Sequence, residues 1–166
     1  MRPMEGTTQP ATPLRILMVE DSQADVELLL RELRALQRPV EHRRVDNRSA
    51  LESALSEFAP DIVLSDYSMP AFGGHDALGI VLEHAPEIPF VFVSGTIGEE
   101  RAIEALQRGA WDYVLKENLR RLPTSVERTI VGFMGCFAAV NALKLARHIV
   151  RSETDAKVLV VSLELS

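Results

Sequence analysis

The chain has 166 residues, of which 46% are hydrophobic and 25% charged, and its formal net charge is −6. These proportions suit one ordinary globular domain with a small appendage. The acidic balance argues against a nucleic-acid-binding surface, which needs clustered Lys and Arg. The single cysteine, Cys136, cannot close an internal disulfide, so a reducing cytoplasm is the expected compartment. Set in an apolar stretch, Cys136 reads as a small buried hydrophobe and not as a nucleophile.

Residues 1–13 are rich in Pro, Thr and Gly and contain no apolar core of a signal peptide, so they read as a flexible leader. From Leu14 to about Leu122, apolar runs of strand length alternate with helical patterns, which implies parallel strands joined by crossover helices. The first run, Ile16-Leu17-Met18-Val19, is followed by Glu20-Asp21 and then by Ser22, an N-cap residue with Asp25 at the capping-box position. Val26, Leu29, Leu30, Leu33 and Leu36 give that helix its apolar stripe. The segment Val40–Val45 is more polar and fits an edge strand, where polar groups discourage pairing with another chain.

A second helix follows Asn47, with Leu51, Ala54, Leu55 and Phe58 on one face. The third run, Ile62-Val63-Leu64-Ser65, ends at Asp66, and a third helix after Gly73-Gly74 carries Leu78, Val81, Leu82 and Ala85. The fourth run, Phe90-Val91-Phe92-Val93, ends at Ser94. The helix after it opens with the capping box Thr96-Ile97-Gly98-Glu99, is expected to bury Ile103 and Leu106, and stops at Gly109. The fifth run, Tyr113-Val114-Leu115, ends at Lys116.

The runs at 16–19, 62–65 and 90–93 are continuously apolar, as strands covered on both faces require. Five βα units with the second strand at an edge predict an α/β, flavodoxin-like, doubly wound parallel sheet of order 2-1-3-4-5. Ligands bind such sheets outside the carboxyl ends of the strands where the order reverses, between strands 1 and 3. Glu20-Asp21 and Asp66 fall there, and Ser94 and Lys116 end the two strands beyond.

Carboxylates gathered in a small space raise one another's pKa values unless a cation joins them. A hard divalent ion with oxygen ligands, most plausibly Mg²⁺, meets that need. Asp21 and Asp66 are the expected direct ligands, with Glu20 acting through water and the Ser68 carbonyl supplying another oxygen. Asp66 is placed to attack a phosphoryl group, with Lys116 and Ser94 offering an ammonium and a hydroxyl to its oxygens. Any one of these residues alone reads as a turn, a helix cap or a solvated surface group. Their recurrence at four strand ends is what gives the set meaning.

Several segments together resemble the receiver domain of two-component response regulators. They are Ile16–Asp21, Asp61–Pro70, Gly74, Pro89–Gly95 and Gly109–Lys116, and the resemblance covers about residues 14–122. It implies that Asp66 is the phosphoacceptor, Glu20 and Asp21 the acidic pocket, Ser94 the switch hydroxyl and Lys116 the phosphate-contacting lysine. Tyr113 then matches the aromatic that turns inward on activation. The implied phosphodonor is a histidine kinase or a histidine phosphotransfer protein in a phosphorelay, and the implied role is a signalling module and not a classical enzyme.

The chain departs from the family pattern in two places. The acidic pair is Glu-Asp where Asp-Asp is commoner. Glu117 follows Lys116 where the family usually has a proline after a cis bond, so a trans peptide and a shifted loop are expected. Glu117 and its neighbours resemble receivers attached to sensor kinases. Two rival readings remain. One is a phosphatase of the haloacid dehalogenase type, which would carry an acid two places after its nucleophile, where this chain has Ser68. The other is a receiver-like module that works without phosphorylation.

Beyond the core, residues 123–151 read as a fifth helix and its extension, and residues 152–166 as a tail. The stretch Thr129–Leu143 carries no charge, and it is shorter than the roughly 20 residues that span a bilayer, so no membrane segment is expected. An apolar helix of this kind suggests a homodimer, either through it or through helix 4, strand 5 and helix 5, or an interdomain contact. Residues 157–163 read as a strand.

Overall fold

A computed structural model describes residues 12–95 and 99–135. The expectations for the leader, Thr96, Cys136, the extension of the fifth helix and the terminal strand lie outside the described residues.

Five strands, β1 (Leu14–Val19), β2 (Val40–Val45), β3 (Ile62–Ser65), β4 (Phe90–Ser94) and β5 (Asp112–Leu115), form one parallel sheet in the order β2-β1-β3-β4-β5. Side chains alternate between the two faces of each strand, and the apolar runs feed two separate cores. Leu17, Val19, Val63, Phe90, Phe92 and Tyr113 face one core. Ile16, Met18, Ile62, Leu64, Val91, Val93 and Val114 face the other. This two-sided burial is why β1, β3 and β4 show no polar alternation, whereas edge strand β2 exposes Glu41 through Arg44.

The helices are α1 (Gln23–Leu33), α2 (Arg48–Glu57), α3 (Gly74–His84), α4 (Glu99–Gln107) and α5, described over residues 122–135. α2 and α3 cover the first face; α1 and α5 cover the second through Val26, Leu29, Leu33, Leu122 and Val126. Two caps follow the sequence signals: the Ser22 Oγ accepts from the Asp25 N–H at 3.3 Å, and the Asn47 side chain accepts from the Ala50 N–H at 3.0 Å. α2 ends at Phe58, and Ala59 then adopts φ +46°, a left-handed position that glycine would occupy without strain. After α4, Gly109 takes φ +111°, the role its residue type suggests.

α4 departs from expectation. Ile103 and Leu106 are not buried but 52% and 45% exposed, and the helix meets the sheet through Ala105 and the partly buried Ala102. Both stripes have helical spacing, but the alanines face inward, where their small side chains allow the helix to approach the sheet.

β5 runs into a short 3₁₀ turn, Lys116–Arg121, interrupted at Asn118. No cis peptide occurs among the described residues, so the Lys116-Glu117 bond is trans as expected. The Asp112 carboxylate ties this turn and the start of α5 back to β5, accepting from Arg121 at 2.9 Å and from the Ser125 hydroxyl at 2.6 Å. Pro123 lies in the first turn of α5, where its missing N–H costs nothing. The inner stripe of α5 is Leu122, Val126 and Thr129, while Val131 and Met134 are exposed.

Candidate functional site

Parallel pairing brings the carboxyl ends of β1, β3, β4 and β5 to one rim. The Asp66 N–H donates to the Val19 carbonyl at 2.9 Å, which sets Asp66 beside Glu20. The register pairs Ser94 with Leu115, so Lys116 follows directly on the far side. Glu20 and Ser94 are 2% and 1% exposed, and Tyr113 is buried behind the rim.

Lys116 organises this space. Its Nζ donates to Glu20 Oε2 at 2.9 Å, to Asp66 Oδ2 at 2.9 Å and to Asp25 Oδ2 at 2.5 Å. Oxygens of the three carboxylates lie within 4.8 Å of one another. Burial pushes the Lys116 pKa down, but the bonds it donates to Asp25, Glu20 and Asp66 outweigh that, and the ammonium is held well above its ordinary value. For Glu20 burial dominates and raises its pKa, against the lowering effect of Lys116 and the Ser22 N–H. The second Asp66 oxygen, Oδ1, accepts from the Ser68 N–H at 3.2 Å.

The sequence-predicted residues do not all gather equally. Glu20, Asp66 and Lys116 meet side chain to side chain. Asp21 is exposed, and its carbonyl, with that of Glu20, accepts from the Arg44 guanidinium at 3.1 and 3.2 Å. Ser68 contributes its backbone N–H to the Asp66 carboxylate. Burial raises the Tyr113 phenol pKa, with the nearby Ser94 side chain opposing, and the hydroxyl has no hydrogen-bond partner among the described residues.

Two contributors were not foreseen. The sequence places Asp25 in a helix cap alone, yet its carboxylate is a partner of Lys116. The signal was available, because the first turn of α1 starts at the same rim. Arg44 clamps the acidic loop from β2, whose carboxyl end lies next to that of β1. Close packing fixes the loop after Asp66. A side-chain carbon on Gly74 would collide with the Asp66 carbonyl and crowd the Phe92 ring and the Tyr67 backbone. Tyr67 itself stacks edge-on against His75 and Phe92, with its hydroxyl 2.6 Å from His75 Nε2.

Residues 16–127 match the family described as response regulator receiver domain. The chain belongs to that family. This receiver domain is a module of two-component signal transduction, a class that interacts with histidine kinases, and it is a signalling module and not a classical enzyme. It is 31% identical over 153 residues to the response regulator protein FleR of Pseudomonas aeruginosa, covering 84% of this chain and 32% of FleR. It is 35% identical over 117 residues to the regulatory protein AtoC of Escherichia coli, covering 70% of this chain and 25% of AtoC. The chain thus spans about a third or less of the curated relatives it matches. The response regulator domain of Thermotoga maritima CheB has the same fold, with a TM-score of 0.61 at 24% identity, over 74% of this chain and 97% of that one.

The three gathered carboxylates suit a receiver Mg²⁺ site, since the donor set is all oxygen. Among the described residues no helix is long and apolar enough to cross a membrane.

Proposed function

We propose that this receiver domain accepts a phosphoryl group on Asp66 from a histidine kinase or a histidine phosphotransfer protein in the cytoplasm, and that the modification switches a protein-interaction surface. The observation that carries this reading is the Lys116 ammonium bonded to Asp66 at the switch point of the sheet, with Glu20 beside it. In the transfer an Asp66 carboxylate oxygen forms the new O–P bond while the N–P bond of the donor phosphohistidine breaks. The imidazole leaves with the electron pair of that bond.

Glu20, Asp21 and Asp66, with the Ser68 carbonyl, are the residues that would hold Mg²⁺. The cation would neutralise charge on the phosphoryl oxygens. Lys116, bonded to Asp66, supplies a second positive charge, and the buried Ser94 hydroxyl is a further donor at the rim. A phosphoryl group that draws on Ser94 alters the space behind it, where the buried Tyr113 side chain lies near Ser94. Tyr113 lies on β5, beside α4 and α5. α4, β5 and the residue before β5 expose Ile103, Leu106, Leu115 and Trp111, apolar side chains suited to a partner or to a second copy.

The test is incubation with acetyl phosphate followed by intact-protein mass measurement. One phosphoryl adduct is expected in the wild type with Mg²⁺, and none after chelation or in Asp66→Asn. An adduct that persists in Asp66→Asn would overturn the assignment.

A further inference from the structure

We propose that Asp25 is a positioning residue that holds the Lys116 ammonium at the rim while Asp66 is being phosphorylated. This rests on the reading of Asp66 as phosphoacceptor.

The capping arrangement leaves the Asp25 carboxylate free for this task. In a capping box the third helical residue reaches back to the N–H of the cap. Here that N–H, on Ser22, donates to Glu20 Oε1 at 3.1 Å, so Glu20 has taken the place of Asp25. Asp25 contributes only its backbone N–H to the cap. Its carboxylate points instead to Lys116 Nζ and accepts a hydrogen bond from it, although the side chain is 31% exposed. The first turn of a helix favours the negative charge.

An ammonium has three protons, and Lys116 spends one on each of three carboxylates. Two of those partners have other work. Asp66 is the group that changes covalently, and Glu20 belongs to the cation-holding set. Asp25 shares the carboxylate cluster with them, but it neither accepts the phosphoryl group nor belongs to the set proposed above to hold Mg²⁺, so it remains a fixed anchor when the bond to Asp66 is exchanged for one to a phosphoryl oxygen. Without it, the flexible four-carbon stem of Lys116 would lose its anchor at the moment its charge is needed.

The experiment compares wild type, Asp25→Asn and Asp25→Glu in three measurements: Mg²⁺ affinity by calorimetry, acetyl phosphate labelling at saturating Mg²⁺, and the side-chain ammonium resonance of Lys116 in ¹⁵N-lysine-labelled protein. The cap uses a backbone N–H that all three proteins keep, and thermal unfolding checks that they fold. Asp25→Asn is expected to lower the maximal labelling rate about tenfold, to leave Mg²⁺ affinity within about twofold, and to lose the slowly exchanging Lys116 resonance. Asp25→Glu is expected to recover both rate and resonance. An unchanged rate and resonance in Asp25→Asn would overturn the proposal. So would a fall in Mg²⁺ affinity with the Lys116 resonance retained, which would make Asp25 a cation ligand. If the wild type failed to label at all, the phosphoacceptor reading would fall, while the resonance comparison would still decide whether Asp25 positions Lys116.

Discussion

Replacing Asp66 by Asn is expected to stabilise the metal-free protein. Asp66 gains from Lys116, whose Nζ is 2.9 Å away. At an effective dielectric of about 20 that attraction is about 6 kcal/mol. Against it stand Glu20 and Asp25, with carboxylate oxygens no more than 4.8 Å from that of Asp66. Each repels Asp66 by about 3.5 kcal/mol on the same scale, and together they slightly exceed the attraction. Removing the carboxylate from water adds a further cost, because its side chain is only 11% exposed. An amide of the same shape escapes both penalties, so Asp66→Asn should gain about 1–2 kcal/mol. Urea unfolding in chelator, followed by Trp111 fluorescence, measures this. Millimolar Mg²⁺ should reverse the order, since ligand that binds only the folded wild type adds to its stability. A loss of more than about 1 kcal/mol in chelator would refute the charge balance drawn here.

Other predictions test the frame around the site. Gly74→Ala should cost about 1–3 kcal/mol, measured by denaturant unfolding, because the clash is with backbone atoms of Asp66 and Tyr67 that cannot swing away. Ala59→Gly should be stabilising or neutral, by at most about 1 kcal/mol, because it relieves a left-handed residue after α2; a clear loss of thermal stability would contradict that. Lys116→Met leaves three carboxylates without their cation, so it should be destabilised by about 3–5 kcal/mol near neutral pH. Acidification should recover part of that loss, because Glu20, whose pKa burial raises, takes up a proton and relieves the crowding of charge; a loss independent of pH would count against that cause.

The sheet was legible because each buried strand is a continuous apolar run, and a parallel arrangement sends every strand's last residue to the same rim. Glu20, Asp66, Ser94 and Lys116 could therefore be placed without knowing any loop geometry. Asp25 escaped notice because its spacing from Ser22 already satisfied a capping motif, and sequence cannot tell which carboxylate closes the cap. Glu20 does so in part, which frees Asp25 for Lys116. Arg44 was hidden for a similar reason: on a polar edge strand one arginine looks like its neighbours, and only the β1–β2 register aims it at the acidic loop. The inward face of α4 was misread because Ala102 and Ala105 form a stripe as regular as that of Ile103 and Leu106. Distance to the sheet, which sequence does not carry, chooses the smaller residues.

The most direct test of the account is to locate the phosphoryl group chemically. Protein treated with acetyl phosphate and Mg²⁺ is reduced with borohydride, which converts an aspartyl phosphate to homoserine, and the peptides are sequenced by mass spectrometry. Homoserine at position 66, absent without Mg²⁺, is the predicted result. Intact Asp66 with modification at another acid, or at none, would contradict it.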